Sequence, residues 1–238
     1  MARRHEQREI MQKYLSNTDV LFRYLPWQNR TIIDVGCGNG DTVRWLARQG
    51  ARVTGLDSPA MLAKARSHPA AGGEKYIEGG AQKLPFADGI ADAILYQASF
   101  HHVPVDSMAE AARECQRVLK NGGRAVFVEP VYRAGAYSEL TRLVEDEEDV
   151  QKKAHEAIQA LAGSGLAMEK EELFYLERSF ADYIHLLEFF VDDTARREVI
   201  LARARNITER FSAAAGLDFA DFHYRSICRL NILAKCAR

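Results

Sequence analysis

Within five residues the chain places three glycines, Gly36, Gly38 and Gly40, between a β-branched run and an amphipathic segment. Thr31, Ile32, Ile33 and Val35 surround one acid, Asp34, and predict a buried strand. After the glycines, Asp41 is expected to cap a helix whose apolar face is Val43, Leu46 and Ala47. The glycines therefore sit at a strand-to-helix turn, where a nucleotide-like ligand could meet bare main chain.

The same alternation continues downstream. Arg52 to Asp57 predicts a second strand ending in an acid, and "SPAMLAKARSH" a helix with Ser58 as its cap and Pro59 in its first turn. A short strand is expected around Tyr76 and Ile77, and a fourth over Asp92 to Tyr96, followed by a loop with His101 and His102. "MAEAARECQRVLKNGG" predicts a helix closed by Asn121, Gly122 and Gly123, and "RAVFVEP" the fifth strand. Strand and helix at this spacing predict an α/β fold, a doubly wound and mostly parallel seven-stranded sheet with helices on both faces.

Residues 1–130 thus form an N-terminal helix and the ligand-binding part of one α/β domain. From 131 to 216 apolar residues recur at helical spacing: Tyr137, Leu140, Val144; Phe180, Tyr183, Ile184, Leu187; Ile200, Ala204, Ile207, Phe211. This predicts a helical insertion, either a lid over an acceptor or the interface of a homodimer. The acidic run Glu145 to Asp149 reads as a solvated helix face rather than a metal site. Residues 217–238 are expected to supply the last pair of strands.

Composition limits the partners. The 238 residues, 47% hydrophobic and 27% charged, suit a globular protein. A formal net charge of −1 offers no general pull toward nucleic acid or an anionic membrane, so neither is an expected partner. The opening "MARRHEQREIMQK" lacks the apolar core of a secretory signal, and no apolar run approaches membrane-spanning length, which predicts a cytoplasmic protein. Cys37, Cys115, Cys228 and Cys236 form no CxxC pair; reduced thiols and no metal are expected.

The glycine spacing narrows the ligand. In a dinucleotide fingerprint G-x-G-x-x-G the third glycine would fall on Asp41 or Val43, and no Gly-Lys-Ser/Thr follows. Asp41 at a helix N-terminus would also repel a pyrophosphate. The turn therefore suits main-chain approach to a ligand without phosphates.

"IIDVGCGNG" resembles the first motif of class I S-adenosylmethionine-dependent methyltransferases, the group that includes quinone-biosynthesis enzymes. "LDSPAMLAKAR" resembles the second signature, "AQKLPFADGIADAILYQASFHHV" the third and fourth, and "RECQRVLKNGGRAVFVEP" the helix, glycine turn and fifth strand. The resemblance covers about the first half of the chain. It implies S-adenosylmethionine as cofactor and S-adenosylhomocysteine as product. It further implies that Gly36, Cys37, Gly38 and Gly40 line the cofactor with main chain, and that Asp34 supports either the cofactor's ammonium or only the loop amides. By the same resemblance Asp57, beside Ser58, takes the ribose hydroxyls, Ala81 and Gln82 face adenine, and Gln97 and His102 touch the remainder. Gly80 stands where the family often has an acid for the adenine amino group.

For the chemistry, His101 and Glu129 are candidate bases, although the His-His pair could equally line the pocket and Glu129 could pair with an arginine. Tyr14, in the expected N-terminal helix, and Phe100 are candidates to border the sulfonium. The implied function is methyl transfer to a small, apolar or ring-containing acceptor. The alternatives are a non-catalytic binding protein that senses or scaffolds, and a nicotinamide oxidoreductase disfavoured by the glycine spacing.

Overall fold

A computed structural model describes residues 12–14, 17–24, 26–132, 141–180, 197–200 and 222–236, with isolated positions between 202 and 209. The main elements follow in chain order: β1 (Gln12–Tyr14), α1 (Asn17–Tyr24), β2 (Thr31–Val35), α2 (Asp41–Arg48), β3 (Arg52–Asp57), α3 (Pro59–Arg66), β4 (Lys75–Glu78), β5 (Ala91–Gln97), α4 (Met108–Val118), β6 (Leu119–Pro130), α5 (Glu148–Leu161), β7 (Leu166–Phe180) and β8 (Phe222–Lys235). The strands form one eight-stranded sheet in the order β1-β7-β8-β6-β5-β2-β3-β4. Neighbours from β6 through β4 pair in parallel, whereas β8 runs antiparallel to both β6 and β7.

Alternation along the strands builds two cores, as a sheet covered on both faces requires. Ile33, Val35, Ile94, Tyr96, Ala125 and Phe127 face α4 and α5, where they meet Met108, Cys115, Ala154 and Ile158. Ile32, Val53, Ala93, Leu95, Val126 and Val128 face the other way, against Val43 and Leu46 of α2 and Leu62 of α3. The chain leaves β2 for β3 on one side, and β5 returns to its other side. Open α/β sheets hold ligands at the carboxyl ends of strands beside such a switch.

Several expectations are corrected. The sheet has eight strands, because β1 adds a short parallel edge to β7; Tyr14 therefore lies in a strand and not in an N-terminal helix. Gly40 occupies the cap position of α2 and no side chain caps it, so Asp41 belongs to the first turn, paired with Arg44. Helix α4 ends at Val118. Ala91 pairs with Leu119 but Ala93 with Arg124, so the Asn-Gly-Gly stretch bulges within β6, with Gly122 at φ 75°.

The span 131–216 is not wholly helical. It holds α5 and helical turns at 141–144 and 197–200, but residues 166–180 form β7, paired with β8 over its length. A register shift between Met168 and Lys170 moves the phase of the strand: Leu166 and Met168 pack with the α4 and α5 face, Phe174 and Leu176 with the opposite one. Phe180, read as part of a helix, ends this strand. Tyr137, Leu140, Tyr183, Ile184, Leu187, Ala204, Ile207 and Phe211 lie outside the described residues. The last segment contributes one strand, β8, rather than two. No helix among the described residues is long and apolar enough to cross a membrane.

Candidate active site

The turn after β2 is fixed by the end of β3. Gly36 and Cys37 donate their main-chain N–H groups to Leu56 O at 2.8 and 3.1 Å. Gly38 N–H donates to Asp57 Oδ2 at 2.8 Å, and Ser58 N–H to Asp57 Oδ1 at 2.7 Å. Each Asp57 oxygen thus accepts one main-chain hydrogen and keeps a further lone pair. Ser58 Oγ accepts from Met61 N–H at 3.5 Å and caps α3, as the sequence predicts.

The glycines are needed for different reasons. Gly36, at φ 74°, packs on the loop after β5: a Cβ there would lie 2.5 Å from Ser99 Cβ. Gly38, at φ 56°, faces open space, with Met61 Cε, 3.8 Å away, the nearest atom to its absent Cβ. Both backbone angles are left-handed and favour glycine. Gly40 lies under the Tyr76 hydroxyl and the Arg44 guanidinium. Of the three, Gly38 is the one whose bare face meets open space.

Arg44 was not singled out from sequence. Its buried guanidinium donates to Asn39 O at 2.9 Å and to Ala65 O at 3.2 Å, tying the turn to the end of α3. It also neutralises Asp41, which removes the repulsion inferred for that helix end.

Two side chains at the ends of β2 and β5 hold buried polar atoms without partners. Asp34 is 2% exposed, and its Oδ1 has no hydrogen bond. Burial first, and then the charge of Asp57, raises its pKa to about 7. Gln97, at the end of β5, has both amide atoms buried and unpartnered. Polar atoms in this condition are costly unless something external completes them. Ala98 follows at φ 47°, a conformation that a non-glycine residue rarely adopts.

Other predicted contacts are placed differently. The Cys37 side chain turns away from the turn toward β3, where Sγ would be 2.8 Å from a Cβ on Gly55; burial pushes its thiol pKa far up. Only its main chain is part of the turn. The Ala81 methyl is likewise in the core, while Gln82 Oε1 lies beside Gly80, 2.7 Å from where a Cβ would stand. Phe100 is fully buried between Tyr96 and Phe127, at ring separations of 5.2 and 5.1 Å, and its ring belongs to the core. The Tyr14 side chain lies outside what the structure describes.

Glu129, at the end of β6, is committed to the loop after β5. Its oxygens accept from the N–H groups of Ser99 (3.2 Å), Phe100 (2.9 Å) and His101 (3.4 Å), and Oε2 lies 2.5 Å from His101 Nδ1. Held in this way, Glu129 clamps the loop. Ser99 Oγ in turn donates to Val35 O at 2.7 Å and closes the crevice wall against Gly36. The two carboxylates around His101, Glu129 and then Glu147, outweigh burial and raise the imidazole pKa. The His102 ring lies beside it, tilted by 43° at a centroid separation of 4.1 Å, and its pKa is lowered by partial desolvation and by the charge of His101. Glu147, which the sequence suggested was solvated, turns inward to lie 3.7 Å from His101 Nε2.

Residues 33–127 match a family model described as a methyltransferase domain. The demethylmenaquinone methyltransferase of Chlorobaculum parvum is 41% identical over 103 residues, covering 42% of this chain and 41% of that one. The ubiquinone biosynthesis O-methyltransferase of Sodalis glossinidius is 36% identical over 105 residues, 41% of this chain and 40% of its own. The chain thus spans about two fifths of the length of these curated relatives. Among solved structures, the YcgJ protein of Bacillus subtilis superposes with a TM-score of 0.66 at 18% identity, over 92% of this chain and 98% of that chain. The fold is that of the class I methyltransferases, and the resemblance drawn from four motifs agrees with the domain match.

Proposed function

We propose that the chain is an S-adenosylmethionine-dependent methyltransferase acting on a small, ring-containing acceptor. The observation that carries this is the crevice between the ends of β2, β3 and β5. It combines the open main-chain face at Gly38, the Asp57 carboxylate, and the unpartnered buried atoms of Asp34 and Gln97. These groups fit the cofactor: a carboxylate with spare lone pairs for two hydroxyls, a buried acid for an ammonium, and an amide for the remaining polar atoms.

S-adenosylmethionine, when bound, supplies a methyl group on a positively charged sulfur. The protein's own part is binding, orientation and exclusion of water. Asp57 orients the ribose, with Gly38 and Ser58 holding the carboxylate in place. Asp34 meets the ammonium, and a cation there favours its ionised form. Gln97 takes up the amino-acid portion, and Gln82 the adenine edge in place of the acid that Gly80 replaces. Glu129 acts as a positioning residue through the Ser99–His101 loop, and the His101–His102 pair marks the acceptor side. A ring-containing acceptor is supported by the names of the quinone-related relatives, whose likeness lies in the cofactor half of the domain.

Calorimetry with S-adenosylhomocysteine, followed by transfer of labelled methyl to a panel of hydroquinones and catechols, tests the assignment. Tight binding and labelled product are expected. Binding without transfer to any acceptor would favour a sensor or scaffold, and no binding would remove the assignment.

A further inference from the structure

We propose that His101, His102 and Glu147 form a site for one divalent transition-metal ion of the zinc class. Each offers one ligand atom, and the three atoms lie within 4.8 Å of one another. The His101 Nε2–Glu147 Oε2 separation of 3.7 Å is too long for a hydrogen bond. It does match the span across a single ion held by bonds of about 2.0–2.2 Å to imidazole and carboxylate.

The surroundings prepare His101 for this use. Its side chain is 3% exposed, and Nδ1 faces Glu129 Oε2 at 2.5 Å, which holds the proton on Nδ1 and leaves the Nε2 lone pair outward. Metal-binding histidines are characteristically fixed by such a carboxylate behind them. Glu129 cannot swing away, because three main-chain N–H groups also hold it. The His102 ring lies tilted beside that of His101 at 4.1 Å and is exposed, and Glu147 is half-buried at the cap position of α5, so an ion has a path in.

Two imidazoles and one carboxylate select zinc, cobalt(II) or nickel(II) over magnesium and calcium, which prefer all-oxygen sites. Three protein ligands leave a coordination position open. The site is two residues beyond Ser99, which packs on Gly36, so the open position is suited to an acceptor oxygen. That use rests on the proposed methyl transfer; the metal site itself does not.

The test uses chelator-stripped, tag-free protein carrying Cys236→Ser, since Cys236 is an exposed thiol that could bind these ions itself. Cobalt(II) is titrated by visible absorption and zinc by competition with a chromophoric chelator. One ion per chain is expected. Glu147→Gln and His102→Ala, both at accessible positions, should each weaken it by more than the roughly 10–100-fold that loss of an outer carboxylate costs. S-adenosylhomocysteine affinity, measured on the same samples, should stay unchanged in Glu147→Gln, whose side chain has no part in the proposed cofactor site, and so separates failure of the metal site from failure of the cofactor assignment. No uptake of either ion, unchanged binding in both variants, or a preference for magnesium would overturn the proposal.

Discussion

The two sides of the site spend their carboxylates in opposite ways. In the crevice, Asp57 gives each oxygen to a single main-chain N–H, and Asp34 leaves Oδ1 with no partner at all. On the histidine side, Glu129 gathers three N–H groups and an imidazole onto two oxygens. One side is left incomplete for a ligand, while the other is saturated to hold a loop. Removing a carboxylate should therefore cost binding on the first side and stability on the second.

The largest effect is expected from Glu129→Ala. It strands the buried N–H groups of Phe100 and His101, at roughly 1–3 kcal/mol for each unpaired group. Urea unfolding should show a loss of several kcal/mol, and a loss under about 1 kcal/mol would break the contrast. Asp57→Ala comes next. S-adenosylhomocysteine affinity should fall by about ten- to a hundredfold, the worth of one charge-assisted contact of about 1.5–3 kcal/mol. Unchanged affinity by calorimetry would take Asp57 out of the site.

The most discriminating change is Asp34→Asn. The folded pKa of Asp34 is raised from 3.8 to about 7 by burial and by Asp57. Its favourable contribution is therefore full below about pH 4 and is lost as pH rises through about 7. Without ligand, the asparagine variant should melt higher than the parent at pH 8, with the gap narrowing as pH falls below 7 and closing near pH 4. Its affinity for S-adenosylhomocysteine should nonetheless drop. A variant that melts lower at pH 8 would mean that the ionised carboxylate is already satisfied.

The crevice side was largely legible in the sequence because its signals are local. Gly36 to Gly40, Asp57 and Ser58 sit at strand ends within consecutive strand-turn-helix units, and β2 and β3 begin and end where periodicity predicts. The residues that escaped act at long range. Arg44 was hidden on a helix face, and Glu147 inside an acidic run. Ser99 matters only because Gly36 comes against it from 63 positions away. Strand β7 was missed for a related reason. Its partner begins more than forty residues later, and tertiary pairing with β8 overrides the helical spacing around it. The place of Phe100 in the core was not legible because aromatic type does not distinguish a core ring from an exposed one.

Strand β8 is the last of the described strands in sequence, yet it lies between β6 and β7. During synthesis, the hydrogen-bonding rim of β6 stays bare until residues 222–235 leave the ribosome, and β7 with its companion β1 has no strand joining it to the rest of the sheet. The Rossmann-type half can form early from neighbouring segments, whereas completion of the sheet awaits a late insertion. Loss of those residues would strip both flanking strands of their pairing at once and expose two sticky borders to other chains.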